Sequence, residues 1–180
     1  MKNIKKIAFD FDGVIADTNK EKEKWLARQG ISIQNTDKSS FYQELREIME
    51  EEHITQLYRE MAKHIFIPQV LEKTQPVKNA ILILQELSKS FQLSIITART
   101  ESMLAEVRKW LAKHGIEKNI TNIISSSYEE KQNICLKHQI TFLCDDDIRH
   151  IRDSKIETRV LFGKTKNLRR FYRGRFLECG

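Results

Sequence analysis

The sequence is poor in cysteine, proline and glycine, and it has no long apolar run. Its three cysteines, Cys135, Cys144 and Cys179, form no CxxC pair and leave an odd count, so we expect a reducing cytoplasm rather than a disulfide framework. No apolar stretch approaches the ~20 residues of a membrane-spanning helix, so no membrane partner is expected. Residues 1–13 place basic residues before a short apolar run closed by acids, which argues against a secretory signal.

The composition is that of a soluble globular protein with an unevenly placed positive charge. Hydrophobic residues make up 40% of the 180 residues, enough for one sizeable core with a small insertion. The tail, residues 164–180, holds six of the 31 basic residues but one of the 25 acids, so it carries five of the six net positive charges and the rest of the chain is nearly neutral. The tail interleaves arginine with aromatic residues, a composition suited to nucleic acid. We favour the alternative interpretation, that the tail is a solvated terminus or a last helix packed on the rest of the protein, over binding of nucleic acid.

A change of composition after Thr18 predicts a helical insertion. Residues 4–9 form an apolar run typical of a strand buried on both faces. From about residue 19 to residue 75 the chain is rich in Glu, Lys and Gln, and its apolar residues recur at helical spacing. This segment, 19–75, predicts about three helices, with Pro68 and Pro76 at its exit.

From Pro76 onward the predicted elements alternate. The predicted strands are 91–99, 122–127, 140–144 and 157–163, and the predicted helices are 77–90, 101–115, 129–139 and 148–154. Regular alternation predicts a parallel sheet with helices on both sides. The expected fold class is α/β, with a three-layer Rossmann-like parallel sheet core (1–18 and 76–163) that carries the inserted residues 19–75.

Chemically active residues collect at the carboxyl ends of the predicted strands, where ligands bind in an open parallel sheet. Asp10 and Asp12 point the same way if the chain stays extended, and at ~4 Å near a surface their repulsion is roughly 4 kcal/mol. The other residues expected at this edge are Thr97, Ala98, Arg99, Lys131, Asp145 and Asp146. A hard divalent cation such as Mg²⁺ would hold the carboxylates together, and an anionic substrate such as a phosphate would complete its coordination.

Each of these residues also has an ordinary structural interpretation. Thr97 could cap a helix, Arg99 could pair with a surface acid, and Lys131 could pair with a neighbouring glutamate. At least one acid of the run 145–147 is expected only to cap the following helix.

The aromatic residues have similar alternatives. In the insertion, Trp25, Phe41 and Tyr42 could stack on a base, although such residues more often hold a small helical unit together. Trp110 and Leu111 are interpreted as core residues, because the helix that carries them needs an apolar face.

Four motifs in order resemble those of the haloacid dehalogenase superfamily. They are "DFDGV" after an apolar run, "IITAR" ending a second run, a lysine that starts a helix, and "FLCDD" ending a further run. The resemblance covers nearly the whole chain outside residues 19–75 and the tail, and the insertion is similar to the small helical cap of that family. It implies an Mg²⁺-dependent phosphomonoesterase that acts on a small phosphorylated substrate.

The resemblance also implies the roles of single residues. Asp10 would attack phosphorus and form an aspartyl-phosphate. Asp12 would protonate the leaving alcohol and then activate the water that hydrolyses the intermediate. The residues that would bind the phosphoryl group are Thr97, Ala98 through its N–H, Arg99 and Lys131.

The metal ligands that the resemblance implies are Asp10, the backbone carbonyl of Asp12, and an acid after the apolar run. The family pattern favours Asp146 as this ligand, with Asp145 assisting. Many members carry another aspartate where this chain has His150, so the residues around the ligands differ from the family pattern.

Within that superfamily, part of the chain is similar to the 5′(3′)-deoxyribonucleotidase branch. A "TAR" signature precedes a helix containing "WL", and a lysine and "DD" follow. This pattern implies a nucleotide substrate. Polynucleotide 3′-end phosphatases share much of it, so a nucleic-acid phosphatase using the basic tail is one alternative. A non-catalytic Mg²⁺-binding module with the same fold is another.

Overall fold

The structure is a computed structural model that describes residues 5–33 and 38–163. Within that part of the chain, five strands form one sheet: β1 (Lys6–Phe9), β2 (Gln92–Thr97), β3 (Ile120–Ser125), β4 (Phe142–Asp145) and β5 (Thr158–Leu161). The α-helices described are α1 (Thr18–Arg28), α2 (Lys38–Arg46), α3 (Glu51–Ile65), α4 (Pro68–Lys73), α5 (Ala80–Leu87), α6 (Leu104–Lys113), α7 (Lys131–Lys137) and α8 (Ile148–Ile151). None of these helices is both long and apolar enough to cross a membrane. The basic tail lies outside the described residues.

The sheet is parallel throughout, in the strand order β3-β2-β1-β4-β5. The central strand β1 lies between β2 and β4, with Ile7 beside Leu93 on one side and beside Phe142 on the other. The predicted α/β fold with a parallel sheet is therefore confirmed.

Alternating side chains of β1 supply both layers of the core. Ile7 and Phe9 pack with apolar residues of α5 and α6 on one face of the sheet, whereas Ala8 packs with residues of α7 and α8 on the other. Trp110 and Leu111 are buried in the first layer, which confirms their interpretation as core residues. Burying each large apolar side chain contributes roughly 1.5–3 kcal/mol, so the two layers hold β1 firmly in place.

The predicted insertion, 19–75, contains four described helices rather than about three. Helices α1, α2 and α3, which we call the helical insertion, share an apolar cluster of their own. Trp25 and Phe41 are buried in that cluster and Tyr42 packs against it, so Trp25 and Phe41 serve the packing of the insertion and not stacking on a base. Helix α4 instead contributes Leu71 to the layer that covers the sheet. The division into domains stays a prediction.

Candidate active site

Three neighbouring strands bring the candidate residues to one edge of the sheet. Asp10 directly follows β1, Thr97 ends β2 and Asp145 ends β4. The Asp10 backbone N–H donates to the Cys144 carbonyl at 2.8 Å, so Asp10 still runs alongside β4. The packing of β1 between β2 and β4 therefore places Asp10 beside Asp145, the aspartate that ends β4.

A buried lysine joins two of the aspartates. Lys131, the first residue of α7, is 2% exposed, and its Nζ lies 3.0 Å from Asp10 Oδ1 and 2.7 Å from Asp145 Oδ2. The interpretation as a surface ion pair with a neighbouring glutamate is therefore wrong. Burial lowers the pKa of Lys131, but the two carboxylates outweigh it and hold the pKa above its ordinary value. The ammonium group thus stays charged.

Three buried carboxylates form a cluster that suits a hard cation. Oxygen atoms of Asp10, Asp145 and Asp146 lie within 4.8 Å of one another. Burial raises the pKa of Asp10 to about 6 and that of Asp146 to about 7. With all three ionised and Lys131 charged, the cluster carries two excess negative charges. An all-oxygen donor set with this charge fits a divalent ion such as Mg²⁺.

The carboxyl groups of Asp145 and Asp146 have different surroundings. Both oxygens of Asp145 are engaged, since Oδ2 accepts from Lys131 and Oδ1 accepts from the Asp147 N–H at 2.9 Å. Asp146 faces the helical insertion closely enough that the charge of Lys22 lowers its pKa, against the larger effect of burial. Lys22 donates to Asn19 Oδ1 at 2.8 Å, so the first turns of α1 lie beside this edge of the site. The sequence offered no signal for Lys22.

Gly13 lies against the cluster in a conformation that suits glycine. Its φ is +87°, and a Cβ at this position would lie 2.4 Å from Asp146 Oδ2. The turn is closed by hydrogen bonds from Gly13 N–H to the Ala16 carbonyl and from Ala16 N–H to the Phe11 carbonyl. Gly13 was not among the predicted site residues, although its place directly after the two aspartates could have indicated it.

The second aspartate of the motif points to a different cation. Strand β1 ends at Phe9, and the Phe11 N–H turns back to donate to Asp10 Oδ1 at 2.7 Å, so the extended geometry expected for the motif is not observed. Asp12 is partly buried and forms two hydrogen bonds with Arg99, Nε to Oδ2 at 3.0 Å and Nη2 to Oδ1 at 2.8 Å. The repulsion expected between the two acids is thus relieved by two cations, Lys131 and Arg99.

Arg99 is itself enclosed by aromatic rings. Its guanidinium carbon lies 5.6 Å from the centre of the Phe11 ring and 5.0 Å from that of Phe66, which follows α3. Arg99 is 1% exposed, and among the described residues it pairs with Asp12 of the motif rather than with a surface acid. Sequence reasoning expected Arg99 at the phosphate and did not identify Phe66.

The end of β2 presents backbone to the site. Thr97 is fully buried, and its Oγ1 accepts from the Arg99 N–H at 3.2 Å. The nearest helical turn begins at Glu101 with Thr100 as its N-terminal cap, so Thr97 does not cap a helix. Ala98, which follows Thr97, is exposed between two buried neighbours.

One acid of the 145–147 run has a purely structural contact. Asp147 accepts the Arg149 N–H at 3.0 Å as the N-terminal cap of α8, and it pairs with the Arg149 guanidinium at 2.7 Å. The expectation that one of these acids caps a helix is confirmed. His150 lies on the same short helix, with Nε2 3.7 Å from the Asp147 carboxylate.

Comparisons with known proteins agree on the fold. A family model described as 5′ nucleotidase, deoxy (pyrimidine), cytosolic type C protein matches residues 2–174. The structure is similar to a haloacid dehalogenase-like hydrolase from Streptococcus pneumoniae, with 18% identity, 91% of this chain and 86% of that chain covered, and a TM-score of 0.60. It also resembles a hydrolase of the same superfamily from Bacillus subtilis that was solved bound to magnesium (15% identity, 89% of each chain, TM-score 0.54). A predicted phosphoglycolate phosphatase from Haemophilus somnus gives 12% identity, coverage of 90% and 86%, and a TM-score of 0.55. No curated protein sequence matches the chain.

Proposed function

The chain belongs to the family of cytosolic type C 5′ nucleotidases, which makes it a phosphatase of the haloacid dehalogenase superfamily, and we propose that it removes phosphate from nucleoside monophosphates in an Mg²⁺-dependent reaction. The observation that carries the proposal is the buried cluster of Asp10, Asp145 and Asp146 around Lys131. Burying three like charges is unfavourable unless a cation offsets them, and a single lysine offsets only one.

In the proposed reaction Asp10 is the nucleophile. A carboxylate oxygen of Asp10 attacks phosphorus, and the bond between phosphorus and the ester oxygen of the substrate breaks. The contacts from Lys131 and from the Phe11 N–H support this role, because both are made to Oδ1 of Asp10 and hold that oxygen in place. The product of this step is an aspartyl-phosphate and a free alcohol.

Asp12 is the proposed general acid and base. It gives its proton to the leaving oxygen in the first step and takes a proton from water in the second, when water attacks phosphorus and releases Asp10. The Asp12 side chain is 16% exposed, which leaves it accessible to the leaving group and supports this role.

The phosphoryl oxygens are proposed to bind the hydroxyl of Thr97, the backbone N–H of Ala98 and the ammonium group of Lys131. The proposed Mg²⁺ ligands are Asp10, the backbone carbonyl of Asp12 and Asp146. Asp145 has the supporting role, because both of its oxygens already accept hydrogen bonds. When bound, Mg²⁺ would neutralise charge on the phosphoryl group.

The helical insertion is proposed to cover the site and to select the alcohol part of the substrate. Two contacts support this placement: Phe66 lies against Arg99, and Asn19 Nδ2 lies 3.1 Å from the position of a Cβ on Gly13. Closure of such a unit would exclude water from the reaction. We further propose a cytoplasmic location, since the buried Cys135 and Cys144 form no disulfide within the part of the chain that the structure describes.

The experiment is phosphate release from a panel of phosphomonoesters, with Mg²⁺ and with chelator. The panel contains 5′- and 3′-(deoxy)nucleotides, sugar phosphates, phosphoglycolate and a 3′-phosphorylated oligonucleotide. Asp10→Asn should abolish turnover, and Asp153→Asn, at an exposed position, should not.

The best substrate decides between the proposed function and its alternatives. A clear preference for nucleoside monophosphates supports the proposal. Preference for the oligonucleotide would favour the nucleic-acid phosphatase, and absence of turnover with every substrate would favour the non-catalytic Mg²⁺-binding module.

A further inference from the structure

A buried arginine fixes the proposed acid and base. Arg99 meets Asp12 through two hydrogen bonds of 3.0 and 2.8 Å, a fork that sets the plane of the carboxylate. The contact joins residues 87 positions apart in the chain, so it is a product of the fold and not of local sequence.

The backbone of Arg99 is held as firmly as its side chain. Its N–H donates to Thr97 Oγ1 at 3.2 Å, and its carbonyl accepts from Ser125 Oγ at 2.7 Å. These bonds connect Arg99 to the ends of both β2 and β3. The guanidinium is therefore presented to Asp12 from a rigid part of the sheet.

Aromatic rings complete the surroundings of the guanidinium. Phe11 belongs to the motif that carries Asp12, and Phe66 belongs to the end of the helical insertion. Both ring centres lie within the ~6 Å at which a guanidinium is attracted to a ring face. The insertion thus touches the arginine that holds the acid.

We infer that Arg99 is a positioning residue for Asp12 and that Phe66 holds it in place. The inference rests on the proposed function. It differs from the role at the phosphate that the family resemblance implied, because Nε and Nη2 of Arg99 donate to Asp12 and the residue is only 1% exposed. A phosphate bound through the same donors would have to break the pair.

Hydrolysis of p-nitrophenyl phosphate separates the two roles. In the first step Asp10 bonds to phosphorus and nitrophenolate leaves as a stable anion, which needs no proton from Asp12. In the second step water attacks phosphorus, its proton passes to Asp12, and Asp10 is released. Loss of the correct orientation of Asp12 therefore slows the second step alone.

The variants are Arg99→Lys, which keeps the charge without the fork, and Arg99→Met, which keeps most of the length without the charge. We expect a stoichiometric burst of nitrophenol, then steady turnover reduced roughly 10²-fold, with the inhibition constant of inorganic phosphate unchanged. Phe66→Leu should give the same pattern with a smaller loss, and because Phe66 is partly exposed this variant retains its fold. Arg108→Met, at an exposed arginine of α6, is the matched control and should behave as the wild type.

A double variant adds an independent readout. Once Asp12→Asn has removed the acid, adding Arg99→Lys should cost no further activity. A weakened inhibition by phosphate without a burst, or an additional loss in the double variant, would overturn the inference while leaving the phosphatase activity of the wild type intact. A wild type without turnover on any phosphomonoester would instead refute the proposed function and this inference with it.

Discussion

Replacing Gly13 by alanine tests whether the turn after the motif sets the position of Asp146. An alanine at φ +87° must adopt a left-handed backbone conformation, which costs roughly 1–2 kcal/mol. Its Cβ would also lie 2.4 Å from Asp146 Oδ2, where real contacts begin at about 3.0 Å. Asp146 must therefore move by about 0.6 Å, more than the ~0.5 Å within which a functional site has to be held.

Gly115→Ala provides a control for the backbone cost alone. Gly115 has a φ of +71°, and a Cβ there would meet no heavy atom within 4 Å. We expect both variants to lose roughly 1–2 kcal/mol in the free energy of unfolding, measured with urea. The difference between them isolates the contact with Asp146.

Mg²⁺ binding and turnover then measure that contact. We expect Gly13→Ala to bind Mg²⁺ more weakly in calorimetry and to lose roughly 10²-fold in turnover, as displaced catalytic groups do. Gly115→Ala should keep both properties. Equal Mg²⁺ affinity and turnover in the two variants would refute the reasoning, since the displacement of Asp146 would then have no consequence.

Three further predictions follow from the contacts of the site and the core. Lys131→Met leaves Asp10 without its buried cation, and we expect it to abolish turnover and to destabilise the metal-free protein by about 3–5 kcal/mol in urea; a small loss would contradict the contact described. Asp10 and Asp146 have pKa values raised to about 6 and about 7, so the folded state binds more protons than the unfolded state between about pH 4 and 7. The stability that these two protonated carboxyl groups contribute is therefore lost as the pH rises. In the presence of chelator, the free energy of unfolding should fall between pH 5 and pH 8. The double variant Asp10→Asn, Asp146→Asn should not show this fall. Trp110→Phe removes the 2.9 Å hydrogen bond from Nε1 to the Thr74 carbonyl, which should cost about 1–3 kcal/mol in thermal unfolding without changing turnover.

The sequence predicted the fold well because its pattern is local. Apolar runs of strand length alternate with helical spacing from Pro76 onward, and each run became a strand within a few residues of the predicted ends. It was harder to predict which helices of residues 19–75 pack with one another and which pack on the main core. Helix α4 begins at Pro68 and packs Leu71 against the main core, and no property of its short sequence distinguishes this packing from packing within the insertion.

The site was predictable where it depends on strand ends and not where it depends on side-chain partners. Parallel strands must bring Asp10, Thr97 and Asp145 to one edge, so their proximity follows from topology. The pairing of Asp12 with Arg99 depends on where the chain turns after Phe9, and spacing in the sequence does not show that turn. The buried position of Lys131 likewise depends on how α7 packs.

The strand order also decides when the site can form during folding. Strand β1 pairs with β2 across 86 positions, but with β4 across 135 positions, as the pairs Lys6–Gln92 and Ile7–Phe142 show. The segment with Asp10 is thus synthesised before both of its neighbouring strands, and β4 follows well after β2. Until β4 is synthesised, one edge of the central strand β1 has unpaired backbone groups, and such an edge favours association with other chains. A chain truncated between β3 and β4 would have an exposed β1 edge and would lack two of the three aspartates of its acidic cluster.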